Sequence, residues 1–262
     1  MLSFRIAGIP VGVHLTFLFV ALLGASAYRG IDIAIWTAAA FVSILAHELG
    51  HALIARGFGG QGVTITLYGM GGLTSYRHGR EMTHGRSFVV SAAGSAVGIV
   101  LGGALYLLAQ SGTFDGVSHG VAVFVDSIIY TSLIWGVLNW IPIVPLDGGH
   151  MVEHLAAMID EEKAPLIGQV VTWIAVAIVV PIAWVNGYQF GVFIIIFFAF
   201  AGLREYRDQT RAIVARKEEA QRPVGQRTID VTTPDDPQPA PPAAPTPPVA
   251  SPKRRDPPEF PI

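Results

Sequence analysis

The stretch Ala46-His47-Glu48-Leu49-Gly50-His51-Ala52 decides how the rest of the chain must be arranged. Two histidines stand four residues apart, and residues at that spacing lie one above the other on the same face of an α-helix. His47 and His51 can therefore offer two imidazole nitrogens to one metal ion, with Glu48 beside an open coordination position. The setting is unusual, because these three are the only ionisable residues between Ile33 and Ile54.

The composition indicates a membrane protein. Of the 262 residues, 52% are hydrophobic and only 14% are charged, with a mean hydropathy of +0.51. A typical soluble domain has roughly 25% charged residues. The formal net charge of −2 gives no reason to expect a nucleic-acid partner, whereas the hydropathy implies a lipid bilayer. The chain has no cysteine, so any protein-bound zinc must use His, Asp or Glu side chains.

Apolar runs of about 20 residues are long enough to cross a bilayer as helices. We therefore expect an α-helical polytopic membrane protein in which residues 1–205 form the membrane-embedded domain. The first apolar run follows Arg5 and has no evident cleavage site, which predicts a retained signal anchor. About six transmembrane helices are expected, over residues 10–28, 33–58, 88–109, 121–143, 165–185 and 188–203.

Three further segments have patterns of their own. Val63-Thr64-Ile65-Thr66-Leu67 alternates apolar and polar residues, and glycines follow it, which predicts a small β-hairpin or loop at the membrane surface. Residues 206–220 are expected to form a charged helical extension. Thirteen of the 18 prolines lie after Gln221. Residues 221–262 are therefore predicted to be a Pro-rich, disordered cytosolic tail.

Basic residues at the loop ends predict the orientation of the chain. Cytoplasmic loops of membrane proteins are enriched in Lys and Arg. If both termini are cytosolic, six spans leave only Arg29 on the far side. The His47–His51 end of the second span and the Asp147 end of the fourth then reach the same depth. The residues placed on the cytosolic side are Arg5, Arg56, Arg77, Arg80, Arg86, Lys163 and those after Leu203.

A zinc ion bound by two histidines needs a third protein ligand to leave one position open. Asp147 has the expected depth and lies in a helix break rich in Pro and Gly, where the backbone can approach closely. Carboxylates in a membrane are costly and usually functional. We therefore expect Asp147 to be the third ligand, although a helix cap or turn would also explain it. An alternative hypothesis is a membrane zinc peptidase that uses a Glu as third ligand, with Glu153 as the candidate.

This donor set predicts hydrolysis. Zinc lowers the pKa of a coordinated water to about 7 and polarises a carbonyl. Glu48 is placed to act as the general base that takes the proton of that water and passes it to the leaving amine. Asn139, about two helical turns before Asp147, is expected to donate an amide hydrogen bond to the oxyanion or to the substrate backbone.

Two motifs in this order resemble the site-2 proteases, which are intramembrane zinc metallopeptidases. His47-Glu48-Leu49-Gly50-His51 is similar to the H-E-x-x-H motif of that family, and residues 139–149, N-W-I-P-I-V-P-L-D-G-G, are similar to its third-ligand motif. Ala92-Ala93-Gly94 also resembles a family signature, but Ser95 stands where the family usually has Pro. The resemblance covers about Phe4 to Leu203.

The resemblance implies a three-helix catalytic core, made here of spans two to four, with one zinc ion per chain. It also implies a β-loop that enters the membrane and substrates that are transmembrane segments of other proteins, in a bacterial plasma membrane. An extended substrate would pair with an exposed strand edge. The strand that carries Val63, Ile65 and Leu67 is the predicted substrate-binding strand.

Two other classes of function are considered. A catalytically silent zinc-binding scaffold or chaperone would keep the ligands, but it would have no need for the base Glu48. A zinc transporter would require ionisable groups along a path across the membrane, and the fifth and sixth spans have essentially none. The sequence therefore favours a zinc-dependent intramembrane endopeptidase.

Overall fold

The fold is known from a computed structural model, which describes residues 2–79 and 82–221. Residues 1–215 form one compact unit, and the described part of a second unit, residues 216–221, is the last part of a helix. The predicted Pro-rich tail lies outside the described residues. The strands are β1 (Leu2–Ile6), β2 (Ile9–Val13), β3 (Gln61–Tyr68) and β4 (Gly71–Arg77). The α-helices are α1 (Val20–Gly24), α2 (Ile31–Gly57), α3 (His84–Gln110), α4 (His119–Asn139), α5 (Asp147–Ala157), α6 (Ala164–Val185) and α7 (Gln189–Gln221).

In the described ranges, five helices are long and apolar enough to cross a membrane, namely α2, α3, α4, α6 and α7. They match the second to sixth predicted spans, and the chain is a polytopic helical membrane protein. Helices α2, α3 and α4 each pack against the other two, which gives the expected three-helix core. The charged extension expected at 206–220 continues α7 without a break.

The first predicted span, residues 10–28, differs from expectation. Its beginning is strand β2, and a 3-10 helix (Leu15–Phe19) and the short α1 follow. These two helical pieces total 10 residues, too few to cross a core of about 30 Å. The sequence pattern was misleading because apolar strand residues and apolar helix residues are the same residue types.

Strand β2 and the two helical pieces together nevertheless run the length of α2 in the opposite direction. Phe17 stacks edge-on against Phe41, with ring centroids 5.7 Å apart, and Gly24 lies against the ring of Trp36. By the usual rises per residue, this composite segment is roughly 34 Å long. In the described residues, a strand and two short helices therefore lie along α2 where a single spanning helix was expected.

The four strands form one mixed sheet in the order β1-β2-β3-β4. β2 pairs in parallel with β3, and the other two pairs are antiparallel. Because β2 has a partner on each side, its backbone polar groups are satisfied beside the bundle, which a lipid environment requires. The inward face of the sheet packs against α2, where Val11 and Ile65 join Ile44 and Ala52 in one buried cluster.

Helices α5, α6 and α7 hold the loop between α4 and α5. Ile143 is fully buried there against Ala175, Ile195 and Ala199. The backbone N–H of Val144 donates to the hydroxyl of Thr172 on α6 at 2.9 Å. This packing fixes the point at which the chain turns into α5, which begins at Asp147.

Candidate metal centre

The two histidines of α2 lie in the protein interior, as their spacing predicts. His47 is 4% exposed and His51 is 6% exposed. Their Nε2 atoms are 3.1 Å apart, and their rings meet edge to face. The spacing of one helical turn therefore brings two imidazole nitrogens close enough together to bind the same metal ion.

Asp147, the first residue of α5, completes this group from a distant part of the sequence. Its Oδ2 atom lies 3.3 Å from Nε2 of His47 and 3.3 Å from Nε2 of His51, so the predicted contact between the motif and Asp147 is present. Gly148 and Gly149 allow it, because a Cβ atom at either position would overlap the backbone of residues 140–144. The start of α5 can therefore lie directly on the preceding loop.

These three donor atoms fit a tetrahedral metal ion. Ligand atoms about 2.0–2.1 Å from a tetrahedral zinc lie about 3.3–3.4 Å from one another. The Nδ1 atom of His51 lies 2.7 Å from the carbonyl oxygen of Val90, which can only accept, so Nδ1 carries the proton. In the neutral ring that a metal ligand requires, the Nε2 lone pair of His51 faces the other two donors. A cation at their centre removes the repulsion that this arrangement would otherwise have, and His47, His51 and Asp147 can hold one.

Helix α3 supplies two features of the site that the sequence pattern did not reveal. An added Cβ at Gly94 would overlap the ring of His51, so the absence of a side chain at Gly94 makes room for that ligand. Ser95 is fully buried, and its hydroxyl donates to Oδ2 of Asp147 at 3.2 Å. Two small residues of α3 therefore shape the candidate metal centre. The resemblance of Ala92-Ala93-Gly94 to a family signature was the available signal.

Glu48 lies beside the histidines and is only 5% exposed. Its carboxylate is held by β4, because the hydroxyl of Thr74 lies 2.7 Å from Oε2 of Glu48. A Cβ atom at Gly72, two residues earlier, would overlap the Glu48 side chain. The hairpin therefore reaches the depth of the motif instead of lying only at the membrane surface.

Asn139 is the last residue of α4. Its Nδ2 donates to the carbonyl oxygen of Trp135 at 2.9 Å, one turn earlier in the same helix. Among the contacts described for this part of the chain, none joins Asn139 to the His47–His51–Asp147 group. One of its two amide hydrogens remains available for another acceptor.

The side chains of the predicted substrate strand are not available to a substrate. Val63, Ile65 and Leu67 are 8%, 1% and 0% exposed, and they belong to the core cluster under the sheet. Over Ile65–Leu67, strand β3 also has no free edge, because β2 pairs with one side of it and β4 with the other. The alternation correctly predicted a strand, but its apolar face points into the core. The edge strand next to it is β4.

Glu153, the alternative third ligand, belongs to a different group. Its Oε2 lies 3.2 Å from Nδ1 of His150, and that nitrogen is 3.9 Å from a carboxylate oxygen of Glu205 on α7. The structure therefore separates Glu153 from the His47–His51 pair. On the same helix, burial and then the charges of His150 and two other histidines lower the pKa of His154 to about 4.

Comparison with known proteins agrees with this geometry. Residues 114–182 match the sequence model of Peptidase family M50. A protein of Synechocystis sp. that is named as a zinc metalloprotease is 33% identical over 144 residues, which are 53% of this chain and 37% of that protein. A zinc metalloprotease of Methanocaldococcus jannaschii is 30% identical over 155 residues, which are 58% of this chain and 44% of that protein. The matched part of this chain thus spans less than half the length of these two relatives.

A solved structure has the same fold. The site-2 protease from Methanocaldococcus jannaschii superposes with a TM-score of 0.56 and 25% sequence identity, over 78% of this chain and 95% of that chain. This match covers a much larger share of the chain than the segment that matches the family model. Together with the two motifs, these matches show that the chain is similar to the site-2 proteases and, over residues 114–182, to Peptidase family M50.

Proposed function

We propose that this protein is a zinc-dependent intramembrane endopeptidase that hydrolyses peptide bonds in or near the transmembrane segments of other membrane proteins. The observation that carries the proposal is the convergence of Nε2 of His47, Nε2 of His51 and Oδ2 of Asp147 to within 3.3 Å of one another, inside a bundle of membrane-spanning helices. The names of the relatives agree with it, since they are zinc metalloproteases.

In this proposal His47, His51 and Asp147 are the three protein ligands of one zinc ion. Zinc, when bound, activates a water molecule and polarises the scissile carbonyl. Glu48 accepts the proton of the attacking water and returns it to the leaving amine. The available amide hydrogen of Asn139 donates to a substrate carbonyl or to the developing oxyanion.

The edge of β4 is the place where an extended substrate can bind. Strand β4 pairs only with β3 in the described sheet, and its other edge offers backbone donors and acceptors. A transmembrane segment that unwinds can satisfy its own backbone by adding to this edge as a fifth strand. The contact of Thr74 with Glu48 supports this proposal, because it joins β4 to the proposed general base.

We also propose that the metal centre opens toward the cytosol and that both termini are cytosolic in a bacterial plasma membrane. If the segment of residues 9–24 crosses the membrane together with the five spanning helices, the chain makes six crossings. The excess of Lys and Arg then still lies on the cytosolic side, as the sequence predicts. Because the chain has no cysteine, single cysteines at Ser3 and Ser111 can be labelled one at a time with a membrane-impermeant thiol reagent. In intact cells, we expect the reagent to label the Ser111→Cys variant and not the Ser3→Cys variant. Labelling of the Ser3→Cys variant only would show that the protein has the opposite orientation.

Cleavage of a reporter transmembrane substrate by purified protein in proteoliposomes tests the activity. Wild type should release fragments, whereas Glu48→Gln should bind zinc normally and release none, since the base is lost. Equal processing by both proteins would refute the mechanism. Zinc binding by wild type without processing of any offered substrate would favour the silent scaffold or chaperone.

A further inference from the structure

Strand β4 presents alternate residues to Glu48. Successive residues of a strand point to opposite faces, so Gly72 and Thr74 lie on the same face. Gly72 leaves the space that the Glu48 side chain occupies, and Thr74 contacts the end of that side chain. Leu73 lies between them and is 53% exposed, on the other face. The face of β4 that carries residues 72 and 74 is therefore fitted to Glu48.

The hydroxyl of Thr74 has two acceptors on the same residue. It lies 2.7 Å from Oε2 of Glu48 and 3.1 Å from the backbone carbonyl oxygen of Glu48. A threonine hydroxyl has one proton to donate, and a carboxylate is the stronger acceptor. The hydrogen bond thus ties the carboxylate to β4, and the side chain fills the space that Gly72 leaves on the same face. The buried Glu48 side chain, bonded to Thr74 and packed against Gly72, therefore has little rotational freedom.

We propose that Thr74 is the positioning residue of Glu48 and that it links the general base to the strand edge that receives the substrate. This inference rests on the proposed function. Thr74 does not need to touch the substrate, because it acts by holding Oε2 in one place. A substrate strand that pairs with β4 would restrict the motion of β4. Through the Thr74 hydrogen bond, it would also restrict the motion of the Glu48 carboxylate.

The test compares Thr74→Val, Thr74→Ser and wild type as full chains in proteoliposomes, with a reporter transmembrane substrate. Valine keeps the shape and the strand preference of threonine but has no hydroxyl. A displacement of about 1 Å in a catalytic group costs about 100-fold. We expect Thr74→Val to lower kcat by roughly 10- to 100-fold with KM and zinc content unchanged, and Thr74→Ser to restore most of it. Thr66→Val, the same chemical change in the neighbouring strand, is the matched control.

A second comparison separates positioning from a general loss of packing. In a Glu48→Asp background the shorter carboxylate cannot reach the hydroxyl, so Thr74→Val should have little further effect on the residual kcat. If Thr74→Val does not purify as a folded protein, Thr74→Ala takes its place in both backgrounds. Equal kcat values for wild type and Thr74→Val would overturn the inference, and so would an equal loss in both backgrounds. An inactive wild type would instead refute the proposed function itself.

Discussion

Replacing Gly94 by alanine should weaken metal binding without harming the fold. An added Cβ atom would lie 2.6 Å from Cδ2 and 2.6 Å from Cε1 of His51, and nearer still to Nε2. An ordinary contact of this kind is 3.4–4 Å, so the His51 ring must move by roughly 1 Å. The ring has little freedom to move, because Val90 holds Nδ1 at 2.7 Å and Nε2 must stay within about 0.2 Å of its ligand distance.

The expected result is a loss of zinc affinity larger than the 10- to 100-fold typical of changes to groups that only support a ligand. The assay is zinc retention against a series of chelator concentrations, followed by cleavage of the reporter substrate. Gly103→Ala is the matched control, since Gly103 lies on the same helix and its added Cβ would meet no atom within 4 Å. Both changes should favour the helix slightly. If Gly94→Ala bound zinc and cleaved as well as Gly103→Ala, the geometry proposed for His51 would be wrong.

Other groups around the site lead to three further predictions. Ser95→Ala removes the donor to Oδ2 of Asp147, so zinc affinity in a chelator titration should fall by about 10- to 100-fold, and an unchanged affinity would show that the bond has no role. Thr172→Val leaves the buried N–H of Val144 without an acceptor, and thermal unfolding in detergent should show a loss of about 1–3 kcal/mol, whereas an unaltered midpoint would contradict this. Burial and neighbouring charges lower the pKa of His154 from 6.5 to about 4, so between these values the unfolded chain binds a proton that the folded chain does not. The free energy of unfolding should therefore fall as pH falls through that window, and His154→Gln should flatten the fall.

Much of the candidate site could be predicted because its key residues carry strong local signals. The spacing of His47 and His51 fixes their common face once the segment is a helix. The positions of Lys and Arg then set the depth of Asp147. Neither step requires knowledge of side-chain packing, and the two segments meet as expected.

The features that were missed depend on contacts between distant parts of the chain. Strand β2 pairs with β1 and with β3, which comes about 50 residues later. Pro10 and Gly12 are poor helix formers, but Ile9–Val13 continues directly into the next apolar run, so hydropathy alone merges the strand with a helix. In β3 the alternation defines an apolar face, but a face that enters a core and a face that meets a substrate have the same residue types. The hydrogen bonds from Ser95 to Asp147 and from Thr74 to Glu48 each depend on a single hydroxyl group. The periodicity of the sequence does not predict such contacts.

The division of the metal centre between α2 and the start of α5 also determines when it can be completed during synthesis. Roughly a hundred residues separate His51 from Asp147. At about 5–20 residues per second, a ribosome takes about 5–20 s to make that stretch. For that time His47, Glu48 and His51 are already on a finished helix, while α4 and the loop that presents Asp147 are still being made. With the proposed ligand set, the newly made chain therefore passes through a stage that has His47 and His51 but not Asp147, and the set is complete only when α4 and the start of α5 have been made.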